Sequence, residues 1–438
     1  MYKKLLSDSA IYGLGGMLIR SLAFFTLPIY TSIFSPEEFG VIEMFATISG
    51  ILSILMTMGL DSAQSFYFME TKNNDDADIK TVTSTVLQLR IIFGLIAVIL
   101  STLFSSVFLT FAFDQEIPTY YLWFVLASTF FATLVSQSLE IFRLIYKPWQ
   151  YIGLSIIQSV GGIGFILFFT YVNNEGISGY LKGMACASFM AMLLGWVATK
   201  DYRSWIKLDP AIWKEYLKFG IPLMPAGLMV WVTMAGDRWF VMNMLSSYDV
   251  GIYAVGAKFA MLITLGVETF RKAWWPIAMD MVHKEEGPEF FKTVSSWYIG
   301  IGSLAAVILT IISPYLVEFI ADPRYYEGWK IVGVLCWGSL FYGFYLISLM
   351  GVFKSKKTYL NIYIHGFGAI LNLILNYFLI IKIGLLGAAI ATSISIMVNN
   401  IIGMIVSNKY YKIDWNWGLY ALYISTSWIF IFWYIEIR

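Results

Sequence analysis

The sequence predicts an all-α polytopic membrane protein: two parallel six-helix lobes plus one extra C-terminal helix. Three observations carry that expectation. Hydrophobic residues make up 59% of the 438 residues and charged residues 13%, about half the charged share of a soluble domain. Apolar runs of roughly 20 residues, the length needed to cross a bilayer, recur along the whole chain. An internal duplication divides these runs into two series. Phe34-Ser-Pro-Glu-Glu-Phe-Gly40-Val41 is echoed by Leu245-Ser-Ser-Tyr-Asp-Val-Gly251-Ile252, and Lys80-Thr-Val-Thr-Ser84 by Lys292-Thr-Val-Ser-Ser296. Ala97-Val-Ile-Leu100 is echoed by Ala306-Val-Ile-Leu309, and Gly176-Ile-Ser-Gly179 by Gly384-Leu-Leu-Gly387, all at separations of 208 to 212 residues. Duplicated apolar halves mark many transporters, with the substrate path between the repeats.

The expected spans of the first lobe, residues 1–200, are 9–33, 39–66, 82–112, 119–145, 151–172 and 177–199. A basic cytoplasmic linker, 201–216, follows, with Trp205 and Trp213 as headgroup anchors. The second lobe, 217–408, holds spans 217–244, 250–272, 293–320, 329–353, 358–381 and 384–407. Residues 409–438 carry the last span, 416–435, read as crossing. Pro28 in the first span, and Pro222 with Pro225 in the seventh, break the backbone ladder and predict bends.

Basic residues set the orientation. Most of the 29 fall on one side of this arrangement, among them Lys3, Lys4, Lys72, Lys80, Arg90, Arg143, Lys147, Arg203, Lys214, Lys284, Lys354 and Lys357. The opposite side has Arg324, Lys330, Lys382 and Arg438. The positive-inside rule then makes the N-terminus cytoplasmic. Six helices per repeat, an even number, relate the halves by an axis along the membrane normal. After Met1-Tyr-Lys-Lys4 the first apolar run continues to Ile33, too long for the core of a cleavable signal peptide.

Several functions are excluded. A net charge of +1 with no basic tract argues against nucleic acid. Cys186 and Cys336 lie inside apolar runs and read as packing residues. His283 and His365 are the only two histidines, so no His-rich metal site is expected. No Walker loop, GxSxG elbow or HExxH is present, so neither an enzyme nor an ATP-driven pump is expected, and no cofactor.

Charge inside the spans points to the transport path. Arg20 falls near the middle of the first span, where a basic side chain is costly unless it faces water or a partner. Asp237, Arg238 and Lys258 fall roughly 10–12 Å from the outer end of their helices. These cations outnumber the one deep acid, which favours an anionic substrate. The alternative is an Asp237–Arg238 or Asp237–Lys258 ion pair that only ties helices together. Asp61, Glu140 with Arg143, and Glu268 with Arg271 and Lys272 read as interfacial helix ends. Candidate cavity-lining residues are Gly16, which aligns with Gly13 and Arg20, and Glu43, on one face with Thr47, Gly50, Thr57 and Asp61. Lys182, within the sixth span, is a third. His365 and Asn372 share a face with Asn361, Gly368 and Asn376; there, interhelical hydrogen bonding is the competing role.

Arg20…Leu27-Pro-Ile-Tyr30…Phe34-Ser-Pro-Glu-Glu-Phe-Gly40 resembles the opening signature of bacterial polysaccharide-export flippases, the Wzx-type O-antigen and lipid-linked oligosaccharide translocases. Asp237-Arg-Trp-Phe-Val-Met…Asp249-Val-Gly-Ile-Tyr253 resembles their seventh-helix signature, and the likeness runs over about residues 5–410. The resemblance implies the MOP-superfamily fold shared with MurJ lipid II flippases and MATE exporters. It implies movement of undecaprenyl-diphosphate-linked sugars to the outer leaflet of a bacterial inner membrane, with membrane lipids and a polysaccharide polymerase as partners. On that pattern Arg20, Arg238 and Lys258 would contact the diphosphate, beside Asp237. The last helix departs from the pattern, since these flippases commonly have twelve spans and MurJ fourteen. The competing expectations are a MATE-like small-molecule exporter, a membrane enzyme of glycan assembly and a membrane scaffold. A cation exporter would want surplus carboxylates, the enzyme a large outer loop, and Arg20 weighs against the scaffold.

Overall fold

The computed structural model describes residues 15–16, 22, 24–72, 79–204, 209–357 and 359–438. Arg20, Trp205 and about half of the first expected span lie outside the described residues. Among the described residues the regular elements are all helical. The chain runs through α1 (Leu27–Ile33), α2 (Pro36–Thr57), α3 (Leu60–Lys72), α4 (Ile79–Leu103), α5 (Ser105–Ala112) and α6 (Thr119–Leu144). Next come α7 (Pro148–Leu167), which ends in a π turn at Phe168–Val172, α8 (Gly176–Ala198), α9 (Pro210–Gly220), α10 (Met224–Ala235) and α11 (Asp237–Met244). The remainder is α12 (Ser247–Met281), α13 (Gly287–Ile320), α14 (Trp329–Ser348), α15 (Met350–Lys354), α16 (Leu360–Asn408) and α17 (Trp417–Ile437). Eleven helical stretches among the described residues are long and apolar enough to cross a membrane.

The long element α16 is two expected spans joined. Ile383 and Gly384 leave helical geometry, Gly384 at φ 59 and ψ −137, and the chain reverses there. Asn372 on the first arm reaches Thr392 on the second at 3.4 Å, so the arms pack antiparallel. Gly176, its counterpart in the first repeat, also stands at positive φ, at the entry to α8. Such a backbone suits glycine alone among residues without a penalty. The following glycines match too: a Cβ on Gly179 would meet the Phe169 backbone, and one on Gly387 the Leu379 backbone.

The other repeated motifs have equally local causes. Ser-x-x-acid is a capping box. The Glu38 amide donates to the Ser35 hydroxyl at 3.3 Å while the Ser35 amide donates to the Glu38 carboxylate at 2.9 Å. In the second copy the Asp249 amide donates to Ser246 at 3.2 Å, and the Ser246 hydroxyl to Asp249 at 2.6 Å. These bonds satisfy donors at the starts of α2 and α12 that have no partner within the helix.

The chain divides into two compact units: residues 1–34 with 41–228, and residues 35–40 with 229–438. In the first, α6 packs on α8, α8 on α7, and α4 on α6, around Leu134, Val135, Phe142, Leu154, Ala191 and Met192. The expected single span 39–66 is broken. Met58 and Gly59 take positive φ, 47 and 71, and Gly59 lies directly against the Gly220 backbone. Asp61 therefore sits on α3, a separate helix from Glu43, and the polar face read across 43–61 is interrupted. Part of the segment read as a surface linker is α9, capped by Asp209, whose carboxylate accepts from the Ala211 amide at 2.9 Å. Trp213 is half-buried in the bundle and donates to Gln88 at 3.3 Å, so it is not a free headgroup anchor. Pro222 and Pro225 fall where α9 passes through a 3-10 turn at Ile221–Leu223 into α10, the expected bend.

In the second unit α12, α14 and α16 pack together, with α13 and α17 on α14. The extra helix has a counterpart in the first unit. Ser296 accepts from Asn416, just before α17, at 2.9 Å. Ser84, its counterpart, accepts from the Ser204 amide at 3.0 Å, just before α9. α9 packs on α4 and α17 on the corresponding α13. The last helix and α9 are thus entered through matching serine contacts.

Candidate functional site

Asp237 opens α11 and is buried. Its carboxylate accepts from the Tyr253 hydroxyl at 2.5 Å, the Thr392 hydroxyl at 3.3 Å and the Arg238 amide at 2.9 Å. Behind Thr392 the chain of donors continues through Asn372 to Asn376, the last step 3.0 Å. A buried carboxylate is tolerated only when such donors compensate the lost water. The Arg238 guanidinium lies 3.3 Å from the Asp237 carboxylate and 5.9 Å from the centre of the Tyr253 ring.

These residues wall a cavity of about 170 Å³. α12 turns Tyr253, Ala257, Ala260, Met261 and Thr264 toward it at helical spacing. α14 adds Gly338 and Ser339, and the second arm of α16 adds Thr392. The small residues leave the room, and Thr264 and Ser339 share a 2.8 Å hydrogen bond at its edge. The cavity has the volume of roughly six waters. It is large enough for one phosphate-sized group.

Asp237 and Arg238 thus come together with Asn372 behind them, and the others lie elsewhere. Lys258 turns its ammonium over the Phe39 ring, 5.5 Å from its centre, and does not line this cavity. Lys182 pairs with Glu175 at 3.1 Å and sits 4.4 Å above the Phe169 ring. Glu43 is half-buried within electrostatic reach of Tyr180. Gly16 has open space beside its Cα. His365 packs on Tyr345, ring centres 4.8 Å apart. Arg20 lies outside the described residues.

The first unit holds a polar seam around Arg90. Arg90 is eleven residues inside α4 and fully buried. It donates to the Thr133 carbonyl at 2.5 Å and pairs with Asp61, which is not an isolated interfacial carboxylate. Thr133, Gln137 and Glu140 follow one another on one face of α6. Gln137 donates to the Thr83 carbonyl at 2.7 Å, and Ser65 to Glu140 at 2.5 Å. Arg203 joins through Ser138 at 3.0 Å, and burial pulls its guanidinium down to about 10. The 4-3 spacing of Thr133, Gln137 and Glu140 was the sequence signal for this seam.

Removing only the Asp61 charge leaves Arg90 buried and uncompensated. Asp61→Asn should cost up to about 3 kcal/mol, less than for a fully buried pair because Asp61 is half-exposed. Adding Arg90→Met should recover much of that loss. Thermal unfolding of the purified variants checks this, and a double variant less stable than Asp61→Asn would contradict it.

Residues 5–282 match the family model for polysaccharide biosynthesis proteins. The chain belongs to that family. Among curated proteins it is 22% identical over 283 residues to Lsg locus putative protein 1 of Haemophilus influenzae, covering 62% of this chain and 65% of that one, just under two thirds. It is also 22% identical over 415 residues to an uncharacterized membrane protein of Methanocaldococcus jannaschii, covering 89% and 95%. Of the solved structures, the lipid II flippase MurJ in an inward closed conformation superposes with TM-score 0.78 at 16% identity, over 97% of this chain and 92% of that one. An inward-facing multidrug resistance MATE transporter of the MOP superfamily gives TM-score 0.71 at 16% identity, over 89% and 93%. The chain is a multi-pass membrane protein, and it shares its fold with these two proteins.

Proposed function

We propose that this protein is a flippase for undecaprenyl-diphosphate-linked oligosaccharide. It carries the headgroup from the cytoplasmic to the outer leaflet of a bacterial inner membrane for surface polysaccharide assembly. Arg238 beside Asp237 on the wall of a cavity, inside an apolar bundle of a polysaccharide biosynthesis protein, carries the reading. A sugar diphosphate cannot cross hydrocarbon unaided, because each unpaired polar group costs several kcal/mol. A cation in a sheltered cavity replaces the lost hydration at the diphosphate, and charge-assisted bonds to phosphate are the strong kind. Asp237, held by Tyr253 and Thr392, positions that cation. Residues 1–200 and 217–408 act as the two lobes, with Arg20 and Lys258 as further contacts to the substrate along its route. Gly16, Glu43, Lys182, His365 and Asn372 line or support that route.

The orientation follows from the basic loops. Impermeant thiol labelling of single-cysteine variants in intact cells should reach positions 37 and 116 and spare 147, 214 and 357. Labelling at position 214 from outside would overturn it. The function itself is tested by reconstituted translocation of a lipid-linked oligosaccharide.

A further inference from the structure

The hydroxyl pair at the edge of the cavity differs from the hydroxyls around it. Thr233, Thr269, Thr310 and Ser348 each donate to a carbonyl one turn back on their own helix, the ordinary way to satisfy a hydroxyl in an apolar helix. Thr264 of α12 and Ser339 of α14 do not. Among the described residues each is bonded only to the other, at 2.8 Å, and either oxygen can be the donor. Two hydroxyls carry two protons, and one shared hydrogen bond uses one of them. One O–H is therefore left over, on residues that both line the cavity. The other two hydroxyls on that wall, Tyr253 and Thr392, are committed to Asp237. Arg238 meets the cavity from the opposite end, beside the Tyr253 ring, and Thr264 lies about 16 Å further along α12 from Tyr253. The guanidinium bends back toward the Met234 carbonyl, 3.4 Å away. Because α11 and α12 are joined by a short turn and run antiparallel, moving back toward Met234 is moving toward Thr264. The α12 wall between the two ends is Ala257, Ala260 and Met261. The cavity thus has a cationic end, a hydroxyl end and an apolar waist.

We propose that Thr264 and Ser339 hold the second phosphate of the substrate's diphosphate while Arg238 holds the first. The inference rests on the flippase reading and assigns the residues by which that site tells a diphosphate from a monophosphate. A diphosphate ester carries negative charge on each phosphate, and the Arg238 guanidinium is already shared with Asp237. One cation so engaged does not compensate both groups, and a phosphate left without donors inside the bundle keeps its desolvation cost. A hydroxyl donating to a phosphate oxygen makes a charge-assisted bond, stronger than a bond between two neutral hydroxyls. The spare O–H turns to the phosphate while the 2.8 Å bond within the pair is kept, so no donor is stranded. A monophosphate at Arg238 leaves the pair as it stands.

The full chain in nanodiscs is titrated with polyprenyl diphosphate and with polyprenyl monophosphate of the same chain length. Wild type should bind the diphosphate at least about tenfold more tightly, as expected for one further hydrogen bond to a charged group. Thr264→Val with Ser339→Ala should lower that preference about tenfold. Monophosphate binding should stay unchanged in this variant, which also shows that it is folded. Thr264→Ser with Ser339→Thr, which keeps both hydroxyls, should keep the preference. An undiminished preference in the variant without hydroxyls makes the pair only a tie between α12 and α14 and overturns the assignment. Equal binding of the two ligands by wild type overturns it as well, and either result leaves the headgroup reading standing. If Arg238→Ala weakens neither ligand, the headgroup reading fails and this inference falls with it.

Discussion

Gly251→Val should leave little folded protein. A Cβ at Gly251 would run into the Pro36 carbonyl, and one at Gly40 into the Ser247 carbonyl. The two copies of the repeated turn thus press backbone to backbone within the second unit. Overpacking ordinarily costs about 1–3 kcal/mol because side chains can shift. Here the obstacle is main chain anchored by two capping boxes, so the cost should reach or exceed the top of that range. Thermal unfolding of detergent-purified protein measures it, with Gly266→Ala, where a Cβ meets nothing within 4 Å, as the control. An unchanged midpoint for Gly251→Val would show that the contact is loose.

Arg238→Ala should abolish surface-glycan export in cells lacking the native gene while the protein accumulates to a near-normal level. A hydrogen bond to a charged group contributes roughly 1.5–3 kcal/mol, so headgroup capture should weaken by one to two orders of magnitude. The geometry also allows a rival account, since Arg238 and Asp237 are 3.3 Å apart. If the pair were only a tie between residues, neutralising both would restore a balanced interior. Asp237→Asn with Arg238→Ala should nevertheless remain without export, because the cation is what the substrate meets. Arg238→Lys should recover part of the activity, limited by the loss of the planar two-pronged donor. Recovered export in the doubly neutral variant would remove Arg238 from the substrate's path.

How far the sequence carried this account depended on the signal each feature leaves. The helix series was legible because apolar runs of membrane length are unambiguous, and the hairpin at Ile383–Gly384 falls in the gap expected between two spans. The break at Met58–Gly59 was not legible. Its cause is a tertiary contact between Gly59 and Gly220, and two adjacent apolar stretches on either side read as one. The burial of Arg90 was not legible, because a count of charges by side ignores that a guanidinium can be buried when a carboxylate and a carbonyl meet it. In the site, Asp237 and Arg238 were legible as rare charges within a span. Thr392 was not, since an ordinary threonine in an apolar helix leaves no mark until the fold brings it to a carboxylate. Lys258 carried the same sequence signal as Arg238 yet turns to Phe39, because one step along α12 rotates a side chain by about 100°.

The central claim is that this chain moves a lipid-linked anionic headgroup across the bilayer through the cavity at Arg238. The direct measurement is translocation in proteoliposomes containing only the purified protein and a fluorescent undecaprenyl-diphosphate-linked oligosaccharide. Arrival at the opposite leaflet is read by an impermeant lectin or quencher. The account predicts movement without added ATP, slowed at least about tenfold by Arg238→Ala, as expected for the loss of one charge-assisted contact. Protein-free rates in the wild-type vesicles, or equal rates for wild type and Arg238→Ala, would contradict it.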